Sequence, residues 1–393
     1  MKKLLAATAA SALFAGMAGA EDVKIGVLFG FTGPIESLTG SMAASAEAAM
    51  KEVSDSGLFL DGSTVTPVRA DTGCIDAAMA AASAEKLVTS DGVSGIVGAD
   101  CSPASMAVLS NVAMPNGIVM ISPSTTTPAL TTFEDNGLFF RTAPSDAREG
   151  EIAADILSEK GITEAALTYS NSDYGKGLAE AIQKAFEAKG GKITLSAAHE
   201  DGKADYSAEV AALAAAGGQV LIVAGYVDQG GAGVIRAAVD TGAFSQFMLP
   251  GGMISDTLTQ NIPEGLEGSF GQVPGNDSPG LKKLGEMSGG AFDVSSPYTP
   301  ESYDAAALML LAMQAAGSTK AADYAGKIMD LANAPGEPIG PGELAKALEL
   351  IKAGTDIDYV GASAVELIGP GESAGNYREI EVKGNKIETV KYR

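Results

Sequence analysis

The sequence predicts an α/β protein with two parallel sheets, each covered by helices on both faces. Short apolar stretches rich in Val, Ile and Leu alternate with amphipathic or Ala-rich stretches of helical spacing. This alternation pauses near residue 141 and then begins again, which indicates two units of similar construction and not one long sheet. The length of 393 residues also favours two domains.

The elements follow one another in a regular order. In the first unit the pattern predicts strands at 23–28, 65–70, 93–98 and 118–121, with helices at 41–53, 75–89 and 103–113. In the second unit it predicts strands at 165–169, 192–197, 219–224 and 247–249, with helices at 176–189, 206–216 and 233–241. Beyond a turn-rich stretch at 274–279, we expect helices at 301–316 and 342–353 and strands at 364–367, 377–382 and 387–392.

The N-terminus has the pattern of a secretory signal peptide. Lys2 and Lys3 precede an apolar run at 4–17, and the small residues 18–20 are followed by Glu21. We therefore expect residues 1–20 to be removed after Ala20 and the mature chain to reach the periplasm. A membrane anchor is disfavoured because the run is short and rich in Ala, and the lack of a cysteine behind it disfavours a lipid anchor.

Composition and charge exclude several classes of function. The formal net charge of −23 argues against a nucleic-acid or anionic-membrane surface, since both need a basic patch. A single histidine, His199, argues against a Ser-His-Asp site and excludes a metal site built from several histidines. No phosphate-binding or nucleophile-elbow motif is found, so we expect neither an enzyme nor a cofactor. An exported enzyme on the same fold stays as the less favoured alternative.

Cys74 and Cys101 are the only cysteines. An even number in an exported chain predicts one disulfide, with two buried free thiols as the alternative.

Hydroxyl groups follow two neighbouring strands of the first unit. Ser102 lies after one predicted strand, where it is expected to cap a helix that begins at Pro103. The segment 122–128 follows the next strand, with Thr127 as the expected cap. Ligands of parallel sheets bind outside the carboxyl ends of the strands, and free N–H groups at helix starts favour a small anion. The two loops therefore predict a carboxylate site, unless these residues act only as caps.

The order of several motifs resembles that of the leucine/isoleucine/valine-binding proteins, which are extracytoplasmic solute-binding proteins of branched-chain amino acid ABC transporters. The resemblance covers the whole mature chain and depends on the spacing of the two cysteines and on five short motifs: 24–27 with 32–34, 120–126, 173–177 and 359–363. It implies two Rossmann-like lobes joined by three crossovers, with a small solute enclosed between them. The implied lobes are 21–141 plus 270–360 and 142–269 plus 361–393. The expected partners are that solute and a membrane permease, and the protein is expected to be a monomer; the sequence does not separate this role from that of a ligand-sensing partner of a receptor.

The resemblance also implies a set of ligand-binding residues. The ligand carboxylate would be held by Ser102 and by the loop that contains Ser124, Thr125 and Thr126. The tyrosines at matching positions are Tyr174 and Tyr226.

The sequence departs from the family pattern at the position expected to bind the ligand ammonium. Aliphatic amino acid binders often carry a Glu there, and this chain has Gly251. Either Asp228, Asp256 or Glu36 supplies the charge, or the ligand is a carboxylate without an amino group, such as an aromatic or hydroxy acid.

Overall fold

The structure is a computed structural model that describes residues 20–393. The expected signal peptide, apart from Ala20, lies outside the described residues. Within the described part of the chain, no helix combines the length and apolar character needed to cross a membrane.

Within residues 20–393, sixteen strands form two large sheets and one small one. In chain order they are β1 (Asp22–Phe29), β2 (Thr64–Asp71), β3 (Ile96–Gly98), β4 (Met120–Ser122), β5 (Phe139–Pro144), β6 (Glu164–Ser170), β7 (Lys192–His199), β8 (Val220–Ala224), β9 (Phe247–Leu249), β10 (Phe270–Pro274), β11 (Glu337–Ile339), β12 (Ile357–Tyr359), β13 (Leu367–Ile368), β14 (Glu372–Ser373), β15 (Tyr377–Lys383) and β16 (Lys386–Tyr392).

The helices alternate with these strands. They are α1 (Glu36–Asp55), α2 (Ala77–Lys86), α3 (Ser102–Val108), α4 (Met114–Asn116), α5 (Asp146–Glu159), α6 (Asp173–Ala188), α7 (Ser207–Ala216), α8 (Gly230–Thr241), α9 (Asp256–Asn261), α10 (Pro279–Ser288), α11 (Thr299–Ala316), α12 (Ala321–Tyr324), α13 (Ile328–Leu331) and α14 (Leu344–Lys352). Short π-helical segments, Leu87–Asp91 and Leu109–Ala113, continue α2 and α3.

The two large sheets have the same construction, which confirms the predicted α/β class. The first has the order β13-β14-β5-β4-β3-β1-β2, and the second has the order β16-β15-β10-β9-β8-β6-β7. In the first sheet the six strands from β14 to β2 are parallel, and β13 at the edge is antiparallel to β14. In the second sheet the five strands from β10 to β7 are parallel, and β15 and β16 are added at the edge as antiparallel strands. In both sheets the chain reverses its direction of travel beside the first strand, between β1 and β3 and between β6 and β8. Such switch points leave a crevice at the carboxyl ends of the strands.

The chain passes between the sheets three times, as the resemblance implied. It leaves the first sheet after β5, returns after β10, and leaves again after β14. Two segments lie in a different sheet from the one implied by the lobe bounds. Strand β10 belongs to the second sheet because it pairs with β9, and 367–373 belong to the first sheet because β14 pairs with β5. Both corrections concern short strands whose place depends on pairing partners remote in sequence.

The core lies between the sheets and their covering helices. Helix α11 is buried from Thr299 to Met313 and packs along α1, whose inner face is built from small residues and methionines. From Ala305 to Met313 α11 is apolar on all sides, as expected of a helix that crosses the interior of a lobe. Its N-terminus thereby brings Tyr298 to the crevice between the lobes.

Candidate functional site

A cavity lies where the carboxyl ends of the two sheets face each other. The first lobe lines it with Ile35, Leu38, Asp100, Cys101, Ser102 and Ser124, and the second lobe lines it with Tyr174, Tyr226 and Gly252; Tyr298, just before α11, completes the wall. Each of the strands at the two switch points, β1, β3, β6 and β8, is followed in the chain by at least one of these residues, and Ser124 and Gly252 follow the neighbouring strands β4 and β9. The cavity has a volume of about 20 Å³, which is room for on the order of one water molecule. Entry of a larger solute requires the lobes to separate.

A disulfide and hydrogen bonds hold the loop after β3, which leads to Ser102. Cys74 and Cys101 form the predicted disulfide, with their Cα atoms 5.2 Å apart. The buried carboxylate of Asp100 accepts the N–H of Gly30 at 2.6 Å and that of Cys101 at 3.0 Å. Burial raises the pKa of Asp100 to about 6, although these hydrogen bonds oppose the shift. The loop is therefore held to both β1 and β2 by covalent and polar contacts.

The structure separates the predicted hydroxyl groups into two sets. Ser102 and Ser124 line the cavity. The Thr125 hydroxyl is turned away, because it bonds to the carbonyl of Ala99 at 3.1 Å and to the hydroxyl of Ser105 at 2.5 Å. Thr126 is buried behind the loop, and its carbonyl accepts the N–H of Asp146 at 2.8 Å.

The helix cap differs from the prediction by one residue. Cys101 is the N-cap of α3 and Ser102 is its first helical residue. The Ser102 hydroxyl accepts the N–H of Thr127 at 3.3 Å, so it joins the two loops instead of capping its own helix. Thr127 precedes the short 3₁₀ segment Pro128–Thr132 but makes no side-chain cap.

The second lobe contributes a wall of aromatic rings. The rings of Tyr174 and Tyr226 lie 5.0 Å apart, centre to centre, and the hydroxyl of Tyr174 accepts the N–H of Gly252 at 3.2 Å. Tyr174 reaches this place because Gly175 lets the start of α6 approach the backbone of Ser170 more closely than any side chain would permit. Sequence analysis missed Tyr298, for which the only local signal is its position before Pro300 at the start of a long apolar stretch.

None of the three acids considered for the ammonium lines the cavity. Asp228 instead joins the lobes: its carboxylate accepts the N–H of Ser37 at 2.8 Å, and its own N–H donates to the carbonyl of Pro34 at 2.9 Å. Glu36 is exposed, and Asp256 is exposed beside a separate groove at the lobe boundary.

Buried carboxyl groups that the sequence analysis did not single out lie behind the tyrosines. Asp146 and Glu149 are both 0% exposed and project from the first turn of α5. Burial raises the pKa of Glu149 to about 7, and burial together with the charge of Glu149 raises the pKa of Asp146. Glu301, in the first turn of α11, is also buried, which raises its pKa to about 8.

The described residues include no group of three or more His, Cys, Asp or Glu side chains arranged to hold a metal ion. The site offers a ligand hydroxyl groups that donate and accept hydrogen bonds, N–H groups that donate them, and aromatic rings that cover apolar surface.

Comparisons with known proteins agree with this geometry. The sequence profile of the family described as "Periplasmic binding protein" matches residues 22–345. The Leu/Ile/Val-binding protein of Escherichia coli strain K12 is 31% identical over 283 residues, which cover 70% of this chain and 75% of that protein.

Two solved structures have the same fold. A leucine binding protein from Thermotoga maritima MSB8 superimposes with a TM-score of 0.76 at 20% identity, covering 94% of this chain and 98% of that one. A solute binding protein of an ABC transporter from Rhodopseudomonas palustris HaA2, in complex with p-hydroxybenzoic acid, gives a TM-score of 0.75 at 19% identity and covers 95% and 97%.

Proposed function

This chain belongs to the family of periplasmic binding proteins, and we propose that it captures an amino acid, branched-chain or similar, between its lobes and delivers it to an ABC transporter permease. The observation that carries the proposal is the convergence of two hydroxyl loops and two adjacent tyrosines on one interlobe cavity. The name of the 31% identical relative from E. coli supports the solute class. The proposed lobes are 20–144 plus 279–373 and 145–274 plus 377–393, and the chain is proposed to act as a monomer in the periplasm after removal of residues 1–20.

We assign different residues of the site to the carboxylate and to the apolar side chain of the ligand. Ser102 and Ser124 serve the carboxylate, assisted by N–H groups at the start of α3, and Thr126 is assigned to holding the loop and not to the ligand. Tyr174 and Tyr226 cover the apolar side chain of the ligand. Asp228 is assigned to contact between the lobes and not to the ligand, since its carboxylate is already bonded to Ser37.

A second candidate ligand is an aromatic carboxylate. The cavity is lined by three tyrosines, and the R. palustris neighbour was solved with p-hydroxybenzoic acid. Aromatic rings bind flat ligands by stacking, and the hydroxyl loops would hold their carboxylate as they hold that of an amino acid.

A thermal-shift screen distinguishes these ligands. Branched-chain amino acids, their 2-hydroxy analogues and benzoates are each added at high concentration, and a ligand at about 100 times its Kd is expected to stabilise the protein by about 2.7 kcal/mol. Stabilisation by amino acids supports the proposed function. Stabilisation by benzoates or hydroxy acids alone moves the assignment to non-amino carboxylates.

Ser102→Ala tests the carboxylate contact. Loss of a hydrogen bond to a charged group is expected to weaken binding by roughly 1.5–3 kcal/mol. Isothermal titration measures the change. Ser110→Ala, at an exposed position shortly after α3, is the matched control and is expected to bind as the unmodified protein does. Equal affinity in both variants would remove Ser102 from the site.

A further inference from the structure

The buried carboxyl groups of Asp146 and Glu149 are incompletely bonded. Both oxygens of Asp146 and Oε2 of Glu149 are inaccessible to solvent and have no hydrogen-bond partner, although Thr126 lies close to Asp146. The side-chain oxygen Oε1 of Gln272 is buried and unpartnered in the same way. Buried polar atoms are almost always hydrogen-bonded, so several unpartnered acceptors together point to a missing donor.

The pair lies directly behind the walls of the cavity. Oε1 of Glu149 accepts the N–H of Gly251 at 3.0 Å and Nε2 of Gln272 at 3.0 Å. The next residue, Gly252, lines the cavity and donates its N–H to Tyr174. On the other side, the N–H of Asp146 binds the carbonyl of Thr126. Asp146 is thus bonded through its backbone to the hydroxyl loop. Glu149 is bonded to Gly251, which is the sequence neighbour of a residue that lines the cavity.

Within residues 20–393, neither Asp146 nor Glu149 has a salt bridge to a Lys or Arg side chain. Arg141 approaches this region, but its guanidinium donates to the carbonyls of Thr125 and Thr127 and forms an ion pair with Glu372 at 2.5 Å. The nearby Arg148 pairs with Glu151 at the surface. A buried pair of acids without a protein cation is stabilised by a cationic ligand group.

Gly251 shows why no acid projects from the end of β9. A Cβ atom at this residue would lie 2.6 Å from the hydroxyl of Tyr298, so a side chain there would displace that tyrosine. The backbone N–H of Gly251 instead donates to Oε1 of Glu149, a residue of α5. The negative charge at this end of the cavity therefore comes from α5.

We propose that Asp146 and Glu149, with Gln272, form the subsite that binds the amino group of the ligand. An ammonium group carries three N–H donors, and these three side chains together have four unpartnered oxygens that could accept them. Tyr174 and Tyr298 line the cavity, and both lie within electrostatic reach of Asp146 and Glu149. A ligand amino group reaches the pair only when these rings are displaced from the positions they hold in this closed arrangement. The inference assumes the solute-binding function proposed above and deepens it by naming a zwitterionic ligand, an α-amino acid, in preference to a carboxylate alone.

Paired titrations with leucine and its 2-hydroxy analogue test the subsite. Asp146→Asn and Glu149→Gln preserve shape and remove charge. Each is expected to weaken leucine binding by roughly 10- to 100-fold and to change binding of the hydroxy acid by less than about twofold. Glu151→Gln, an exposed acid on the same helix, is the control and is expected to change neither. Circular dichroism and thermal unfolding show that the variants are folded, and either variant alone suffices for the test.

The outcomes separate this inference from the proposed function. If the unmodified protein binds leucine and both variants bind it unchanged, or lose leucine and the hydroxy acid equally, the subsite is wrong while the amino acid assignment stands. If the unmodified protein binds the hydroxy acid or benzoate but no amino acid in the screen, both are wrong.

Discussion

Burial of the Glu149 side chain makes the stability of the fold depend on pH. Burial raises the pKa of the Glu149 carboxyl from the ordinary value of 4.5 to about 7. Between these two values the folded protein holds a proton that the unfolded chain has released. The stability that this group contributes is therefore fully present below about pH 4.5 and is lost as the pH rises through about 7, by up to the order of 3 kcal/mol.

Glu149→Gln should consequently change stability in a pH-dependent way. Glutamine keeps an oxygen to accept the N–H of Gly251 but cannot ionise. In the absence of ligand, we expect the variant to be more stable than the unmodified protein at pH 8 and similar to it at pH 4.5, as measured by urea unfolding. Glu151→Gln, which changes an exposed acid, should show no such difference. A variant that is equally destabilised at both pH values would show that Glu149 acts through packing and not through its charge.

At the scale of single elements, the loop after β3 depends on the Cys74–Cys101 bridge. The bridge spans 27 residues, for which the chain-entropy model gives a stabilisation of about 3–4 kcal/mol. It also ties the residue before Ser102 to the loop that follows β2. The disulfide therefore stabilises the fold and also holds Ser102 in position for the ligand.

Reduction of this bridge should lower both the melting temperature and the affinity for ligand. Scanning calorimetry and titration of the reduced protein, compared with oxidised protein taken through the same buffer exchange, measure the two effects. A lower melting temperature with unchanged affinity would mean that hydrogen bonds to Asp100 alone hold the loop. Two free thiols in the unreduced, denatured protein would contradict the disulfide itself.

At the scale of the whole molecule, the lobes are joined at the mouth of the cleft as well as at the crossovers. Asp228 binds Ser37 and Pro34 of the opposite lobe, and the hydroxyls of Ser37 and Ser255 lie 3.4 Å apart. These contacts exist only while the lobes are together, so they favour the closed arrangement independently of the ligand.

Asp228→Ala should therefore shift the molecule towards an open form. We expect a larger radius of gyration without ligand, a smaller one on saturation, and a severalfold weaker affinity that affects leucine and its hydroxy analogue equally. Small-angle scattering and titration check both points. Asp240→Ala, an exposed change on α8, serves as control. An unchanged scattering curve on saturation of the unmodified protein would contradict a closing cleft.

The sequence by itself determined the fold class, the alternating elements of each lobe, the disulfide and the loops that carry Ser102 and Ser124. Each of these depends on local periodicity, turn residues or cysteine count, which a short stretch of chain contains. The sequence did not determine to which sheet β10 and β14 belong, because these short strands are placed by pairing with strands remote in sequence.

Only the tertiary structure decided which acids lie at the cavity. Asp228 looked suitable from its loop position, yet its carboxylate is bonded across the lobe boundary. Glu149 lies in a stretch for which the sequence analysis predicted no element, yet it lies 102 positions from Gly251 and 123 from Gln272 and binds both. Burial and contact at such separations arise from the packing of α5 between the hydroxyl loop and β10, and no local pattern of residues encodes them.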